Sequence, residues 1–150
     1  MPSPRPAEVG DLKVETTQLQ FSTQGFCDVV DLTDKVDRAL ADSGMMHGVV
    51  TLFVPGATAG LTTLEYEPGC VQDLKEAFER LAPKDGPYAH NQRWGDGNGF
   101  SHIRAALLGP SFQVPFAGGK LLLGTWQHLV LVDFDNRSRQ REVVLQFLGR

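Results

Sequence analysis

Two stretches near the C-terminal end decide the fold. The first is Lys120-Leu-Leu-Leu-Gly-Thr-Trp-Gln-His-Leu-Val-Leu-Val-Asp-Phe-Asp135, and the second is Gln140-Arg-Glu-Val-Val-Leu-Gln-Phe-Leu148. Both are rich in valine, leucine and aromatics, and the polar turn Asn136-Arg137-Ser138 separates them, so they read as paired strands. In the first, Trp126, His128, Val130, Val132 and Phe134 share one face, and Gln127, Leu129 and Leu131 share the other. Ser111 to Phe116 precedes them as another strand, joined through Ala117-Gly118-Gly119.

Working outward, Leu12–Phe21 and Phe26–Leu32 read as strands either side of a Gln24-Gly25 turn. Gly48 to Pro55 is almost wholly apolar and reads as a central strand. Leu61 to Glu67 alternates and ends at Pro68-Gly69. Thr33 is a credible cap for a helix that runs to about Ser43 and stops at Gly44. Val71, Leu74, Phe78 and Leu81 recur at helical spacing, so residues 70–82 form an amphipathic helix. Residues 102–108 fit a short helix or a strand equally well. Many strands, two to three helices and no βαβ alternation define an α+β fold with largely antiparallel sheets. A flexible leader is expected over residues 1–10 and a single domain over 11–150, a length that supports a real core.

Hydrophobic residues make up 41% of the 150 and charged residues 21%, with a net charge of -4. That balance gives no electrostatic footprint for nucleic acid. No apolar run reaches the roughly 18 residues of a membrane helix, and the N-terminus lacks a signal-peptide pattern. Cys27 and Cys70 are too few for a disulfide framework and lack metal-ligand spacing, so they read as two semi-buried free thiols. The cytoplasm is the expected compartment.

Chemistry concentrates in Tyr88-Ala-His-Asn-Gln-Arg-Trp-Gly-Asp-Gly-Asn-Gly-Phe-Ser-His102. Glycines at 95, 97 and 99 let a backbone fold tightly and present side chains inward. Tyr88, Trp94 and Phe100 suit packing, so the segment reads as an ordered site loop. His90, Asp96, Asn98 and His102 offer nitrogen and oxygen donors to a divalent ion, or an acid–base pair, or a hydrogen-bonded loop. Glu65, on a strand after a glycine-rich turn, is a candidate general base or ligand, or one carboxylate of a solvated face. Gln127 reads as a buried amide that needs partners. Trp126 reads by pattern as core, and both it and Gln127 are candidates for touching a substrate. Arg104, Arg139 and Arg141 are candidates for binding phosphate, which guanidinium groups hold bidentately. No P-loop, dinucleotide or nucleophile-elbow motif is present.

Five blocks together resemble the YjbQ-like family, often labelled secondary thiamine-phosphate synthases. They are Gly-Ala-Thr-Ala-Gly-Leu-Thr-Thr-Leu-Glu (56–65), Tyr-Ala-His-Asn (88–91), Asp-Gly-Asn-Gly-Phe-Ser-His-Ile-Arg-Ala (96–105), Leu-Gly-Thr-Trp-Gln (123–127) and Asp-Phe-Asp-Asn-Arg-Ser-Arg-Gln-Arg (133–141). The resemblance implies an α+β fold and a homotrimer with sites near subunit boundaries. It also implies a transfer that joins a pyrimidine pyrophosphate to a thiazole phosphate. In that reaction a divalent cation, zinc or magnesium, would lie on His90 and His102, with Glu65, Asp96 and Asn98 as catalytic groups. Arginines would hold the leaving pyrophosphate of a small phosphorylated substrate. The chain departs from the pattern at Gly56, where many relatives carry a histidine, and at Leu64, where many carry an asparagine. A third imidazole is therefore missing. A non-catalytic oligomer that captures a small anionic metabolite is the alternative reading.

Overall fold

The computed structural model describes residues 10–150. Of the leader expected over 1–10, all but Gly10 lies outside the described residues. The chain runs β1 (Lys13–Thr23), β2 (Asp28–Asp31), α1 (Thr33–Ser43), β3 (His47–Phe53), β4 (Ala59–Leu64), α2 (Pro68–Leu81), α3 (Ala89–Trp94), α4 (Gly99–Leu108), β5 (Ser111–Ala117), β6 (Lys120–Leu121), β7 (His128–Asp133) and β8 (Arg139–Gly149). The strands form a five-stranded sheet ordered β1-β8-β3-β5-β6 and a three-stranded sheet ordered β2-β7-β4. Every pairing is antiparallel. The α+β reading holds, with four helices rather than two or three.

The layers follow from side-chain alternation. The first core is built by Val50 and Leu52 of β3, Val143, Leu145 and Phe147 of β8, Leu129 and Leu131 of β7, Leu61 of β4, and Val36 and Leu40 of α1. It therefore fills the space between the two sheets. The second core holds Val130, Val132 and Phe134 with Val29, Phe78 of α2 and Ala105 of α4. It lies on the other face of the three-stranded sheet, under the helices. β7 is apolar on both faces because it is a wall of both cores, and its residues Leu129 to Asp133 are all buried. Phe78 and Phe134 meet edge to face with ring centroids 4.7 Å apart, a geometry favoured by aromatic quadrupoles.

The expected strand over residues 120–135 is two strands. β6 is a short edge piece, and a turn in which Gln127 N–H donates to the Gly124 carbonyl separates it from β7. Gly124 and the polar Thr125-Trp126-Gln127 run break the ladder where unbroken apolar character had suggested continuity. A second correction concerns α1. Thr33 is its first helical residue rather than its cap. The Asp31 carboxylate takes over the capping role, accepting from the Thr33 N–H at 3.0 Å and from the Thr33 hydroxyl at 2.7 Å. The Thr33 hydroxyl in turn accepts from the Leu129 N–H, tying α1 to β7. Asp31 also meets His128 Nδ1 at 2.9 Å. The helix stops at Gly44, as expected.

Candidate functional site

The ordered site loop expected over Tyr88 to His102 is largely helical. It folds into α3 and the first turn of α4, with the Gly95–Asn98 turn between them. Gly99 makes this possible. A Cβ there would lie 2.6 Å from Tyr88 Cβ and 2.9 Å from Asn91 Oδ1, so only glycine lets the start of α4 press against α3. Asn91 Oδ1 accepts the Gly99 N–H at 2.8 Å and locks the approach. Phe100 is buried and anchors α4, whereas Trp94, expected to pack, is 66% exposed. Residues 102–108 continue α4 as a helix.

This packing brings His90 of α3 and His102 of α4 together, with ring centroids 4.4 Å apart and planes at 42°. His90 Nδ1 is buried and has no hydrogen-bond partner among the described residues. It lies 3.4 Å from Asp96 Oδ1, a charge contact when the ring is protonated. The Asn98 amide sits between Asp96 and Asp135. Its NH2 is best turned towards Asp96, donating to the two carboxylate oxygens at 3.0 and 3.2 Å. Asn136 reaches across to the same turn, donating from Nδ2 to the Asp96 carbonyl at 2.8 Å.

Beneath the imidazoles lies a buried charge network that the sequence reading left unassigned. Asp133 and Asp135 are fully buried. Arg141 grips Asp133 bidentately, Nε to Oδ2 at 2.6 Å and Nη2 to Oδ1 at 2.8 Å, and also donates from Nη2 to the Thr58 hydroxyl at 2.7 Å. Arg139 donates from Nε to Asp135 Oδ2 at 2.8 Å. The Thr23 hydroxyl completes Asp133, and the Thr58 hydroxyl donates to Asp135. Burial raises the Asp135 pKa, but bonds from Arg139, the Asn136 N–H and Thr58 outweigh it and hold the carboxyl below its ordinary value. The signal was present as Asp-x-Asp followed by Arg-x-Arg. Residues two apart on a strand share a face, so two acids and two arginines flanking one turn can pair. The alternation of the arginines was legible; their commitment to buried carboxylates was not.

Not all of the candidate residues gather here. Ala59 at one end of β4 pairs with Asp133 and Leu64 at the other end with His128, which puts about 17 Å of strand between those ends. Glu65 lies just past the far end. There it is exposed, and with Trp126 and Gln127 it lines a cavity of about 370 Å³. Trp126 is 72% exposed and is not core. Gln127 is exposed rather than buried, yet it is satisfied: Nε2 donates to the Thr63 hydroxyl and Oε1 accepts the Gly124 N–H. Arg104 belongs to neither group. It is buried on the opposite face of α4, donating to the Ala82 carbonyl at 2.9 Å and to Glu79 at 2.6 Å.

Gly56 is the point at which the first cluster opens. It lines a cavity of about 250 Å³ with His102, Ala57, Ala59, Ala105 and Ala106. An atom at the position of its missing Cβ would meet only Arg141 Nη1, at 3.3 Å. The implied divalent ion finds an incomplete donor set: among the described residues, no three His, Cys, Asp or Glu side chains converge as ligands. One chain supplies an imidazole pair with a carboxylate alongside.

A small α+β domain of two antiparallel sheets, with paired imidazoles over a buried aspartate–arginine network, is the class of protein that these features define. The chain belongs to the UPF0047 YjbQ-like family, whose model matches residues 17–150. It is 42% identical over 120 residues to the UPF0047 protein Rv2556c of Mycobacterium tuberculosis (strain ATCC 25618 / H37Rv), covering 80% of this chain and 88% of the relative. Its structure is similar to that of a YbjQ-like protein of unknown function from Sulfolobus solfataricus P2. The TM-score is 0.88 and the identity 30%, over 93% of this chain and 100% of the other. The hypothetical protein APE1520 from Aeropyrum pernix K1 matches with a TM-score of 0.84 and 34% identity, over 91% of this chain and 99% of that one. No helix among the described residues is long and apolar enough to cross a membrane.

Proposed function

We propose that the protein binds a small phosphorylated molecule at the His90–His102 cluster, with the anionic end in the cavity between His102 and Gly56. One observation carries this reading. Gly56 lines the cavity with His102, and its missing Cβ position lies 3.3 Å from Arg141 Nη1, which puts the guanidinium at the Gly56 edge of that cavity rather than in its lining. Arg141 spends Nε and Nη2 on Asp133 and Thr58, so Nη1 is its uncommitted edge. A guanidinium held rigid by a buried carboxylate offers that edge to phosphate with little loss of side-chain entropy.

The imidazoles give the site its chemistry. A phosphate beside His102 would favour the protonated ring, and His90 and Asp96 alongside would let the pair hold or pass a proton. The transfer implied by the family, a pyrimidine pyrophosphate joined to a thiazole phosphate, uses two small phosphorylated heterocycles and is the specific reaction to assay. Capture without turnover is the second reading, favoured by glycine at position 56 where many relatives carry an imidazole. A homotrimer is part of the same proposal, because Glu65, Trp126 and Gln127 lie too far from His102 within one chain to share a ligand with it.

Calorimetric titration with pyrophosphate, with and without Mg²⁺ or Zn²⁺, tests the site. Wild type should bind, and His102→Ala should weaken binding about tenfold, a change of about 1.4 kcal/mol, with the fold intact. Gly56→His should fill the cavity, suppress pyrophosphate binding and raise divalent-ion retention measured by elemental analysis. Equal pyrophosphate affinity in all three proteins would remove the basis for the reading. Product formation from the two heterocycles, followed by mass spectrometry, separates transfer from capture.

A further inference from the structure

Arg104 has a different neighbourhood from Arg139 and Arg141. It is 4% exposed and lines a cavity of about 290 Å³ between α2 and the Gln24–Cys27 turn, together with Phe26, Cys27, Lys75, Lys84 and Phe100. Its Nε and Nη2 are engaged by Ala82 and Glu79, which leaves Nη1 without a partner among the described residues. The guanidinium stacks on Phe100, 4.9 Å from the ring centroid. We propose that this cavity is a second ligand site, one that takes a small anion carrying a flat aromatic ring.

The charges argue for the anion. Lys75, Lys84 and Arg104 line the cavity together with Glu76 and Glu79, three cations against two carboxylates. Both carboxylates are already committed, Glu79 to Arg104 and the Lys84 N–H, Glu76 to the Gln72 amide. The ammonium groups of Lys75 and Lys84 have no ion-pair partner among the described residues. Burial pushes the Cys27 thiol up to about 11, so it stays neutral at the cavity edge and adds no opposing charge. The volume is close to the lower end, about 300 Å³, of the range for small-molecule pockets.

The backbone argues for the ring. Gly25, Phe26 and Cys27 take successive positive φ values of 77°, 53° and 64°. A non-glycine residue held this way costs on the order of 1–3 kcal/mol and persists only where its surroundings enforce it. Here the Phe26 N–H donates to the Asp135 carbonyl at 2.7 Å and the Asp28 carboxylate accepts the Gln24 N–H at 2.8 Å. The result is a phenylalanine ring left 52% exposed at the cavity wall, with Lys84 Nζ 4.8 Å from its centroid. A cation over an exposed ring is a ready platform for an anionic aromatic, which stacks on the ring while its charge meets the ammonium.

Amide NMR of the full chain, titrated with phenyl phosphate and separately with inorganic phosphate, tests the proposal. Phenyl phosphate should give saturable shifts at Phe26, Cys27 and Arg104. Lys75→Glu combined with Lys84→Glu should weaken it about tenfold or more, because two attractions become repulsions. Phe26→Gly keeps the turn conformation while removing the ring, and should reduce phenyl phosphate to the affinity of inorganic phosphate. His102→Ala should leave these shifts unchanged, which separates this site from the histidine cluster. Shifts confined to the His90–His102 cluster, no saturable shift at millimolar ligand, or equal affinity in the charge-reversed protein would each overturn the proposal.

Discussion

Replacing Asp133 by asparagine tests whether the aspartate–arginine network holds the site end of the molecule together. The side chain keeps its shape and loses its charge. Asp133 is fully buried and accepts from the Thr23 hydroxyl, from Arg141 Nε and Nη2, and from the Asp135 N–H. Asparagine has one acceptor oxygen and turns two donor hydrogens towards a guanidinium that is 10% exposed. Breaking a buried ion pair from one side costs about 3–5 kcal/mol, because the remaining charge is left unpaired. In a chain of this size each kcal/mol moves Tm by about 2–4 °C, so the variant should melt about 6–20 °C lower. Urea unfolding followed by tryptophan fluorescence should show the midpoint falling at constant slope. Asp133→Asn with Arg141→Met should be less destabilised than the sum of the single changes, since the double variant has no orphaned charge. A loss under about 1 kcal/mol for Asp133→Asn, in the range of an exposed pair, would refute the reasoning and imply that solvent reaches Arg141.

Two further outcomes are expected. Burial raises the Asp31 pKa, but hydrogen bonds from Thr33 and His128 prevail and lower it from 3.8. Its contribution is therefore fully present above about pH 4 and lost as pH falls through the folded value, so the stability gap between wild type and Asp31→Asn should be constant down to about pH 4 and close below it in urea titrations. Phe134→Ala removes a fully buried ring that packs on Phe78; calorimetry should register a loss of about 3–5 kcal/mol.

The strands were legible because alternation and apolar runs report burial directly. Gly48 to Pro55 covers all of β3 but His47, in the middle of the five-stranded sheet. The helical segment over 70–82 matched α2 because Val71, Leu74 and Phe78 point to one core. Failures arose where tertiary packing overrides local pattern. Glycines at 95, 97 and 99 suggested an ordered site loop, but Gly99 serves a close helix–helix approach and α4 begins on it. Gln127 and Trp126 lie beside an apolar run and borrowed its character, although the ladder stops short of both. The pairing of His90 with His102 followed from proximity in sequence. The separation of Arg104 from Arg139 and Arg141 did not, because it depends on which face of α4 meets α2.

β8 pairs with β1 along its whole length and with β3 on its other edge. The last strand in chain order is thus an interior strand that joins the two halves of the five-stranded sheet. During synthesis, β1 and β3 leave the ribosome with unpaired edges and wait for a partner more than a hundred residues downstream for β1. Closing such distant contacts is slow, and open strand edges invite pairing with other chains meanwhile. A translation arrest before residue 139 would therefore leave β1 without its one partner strand in the described sheet.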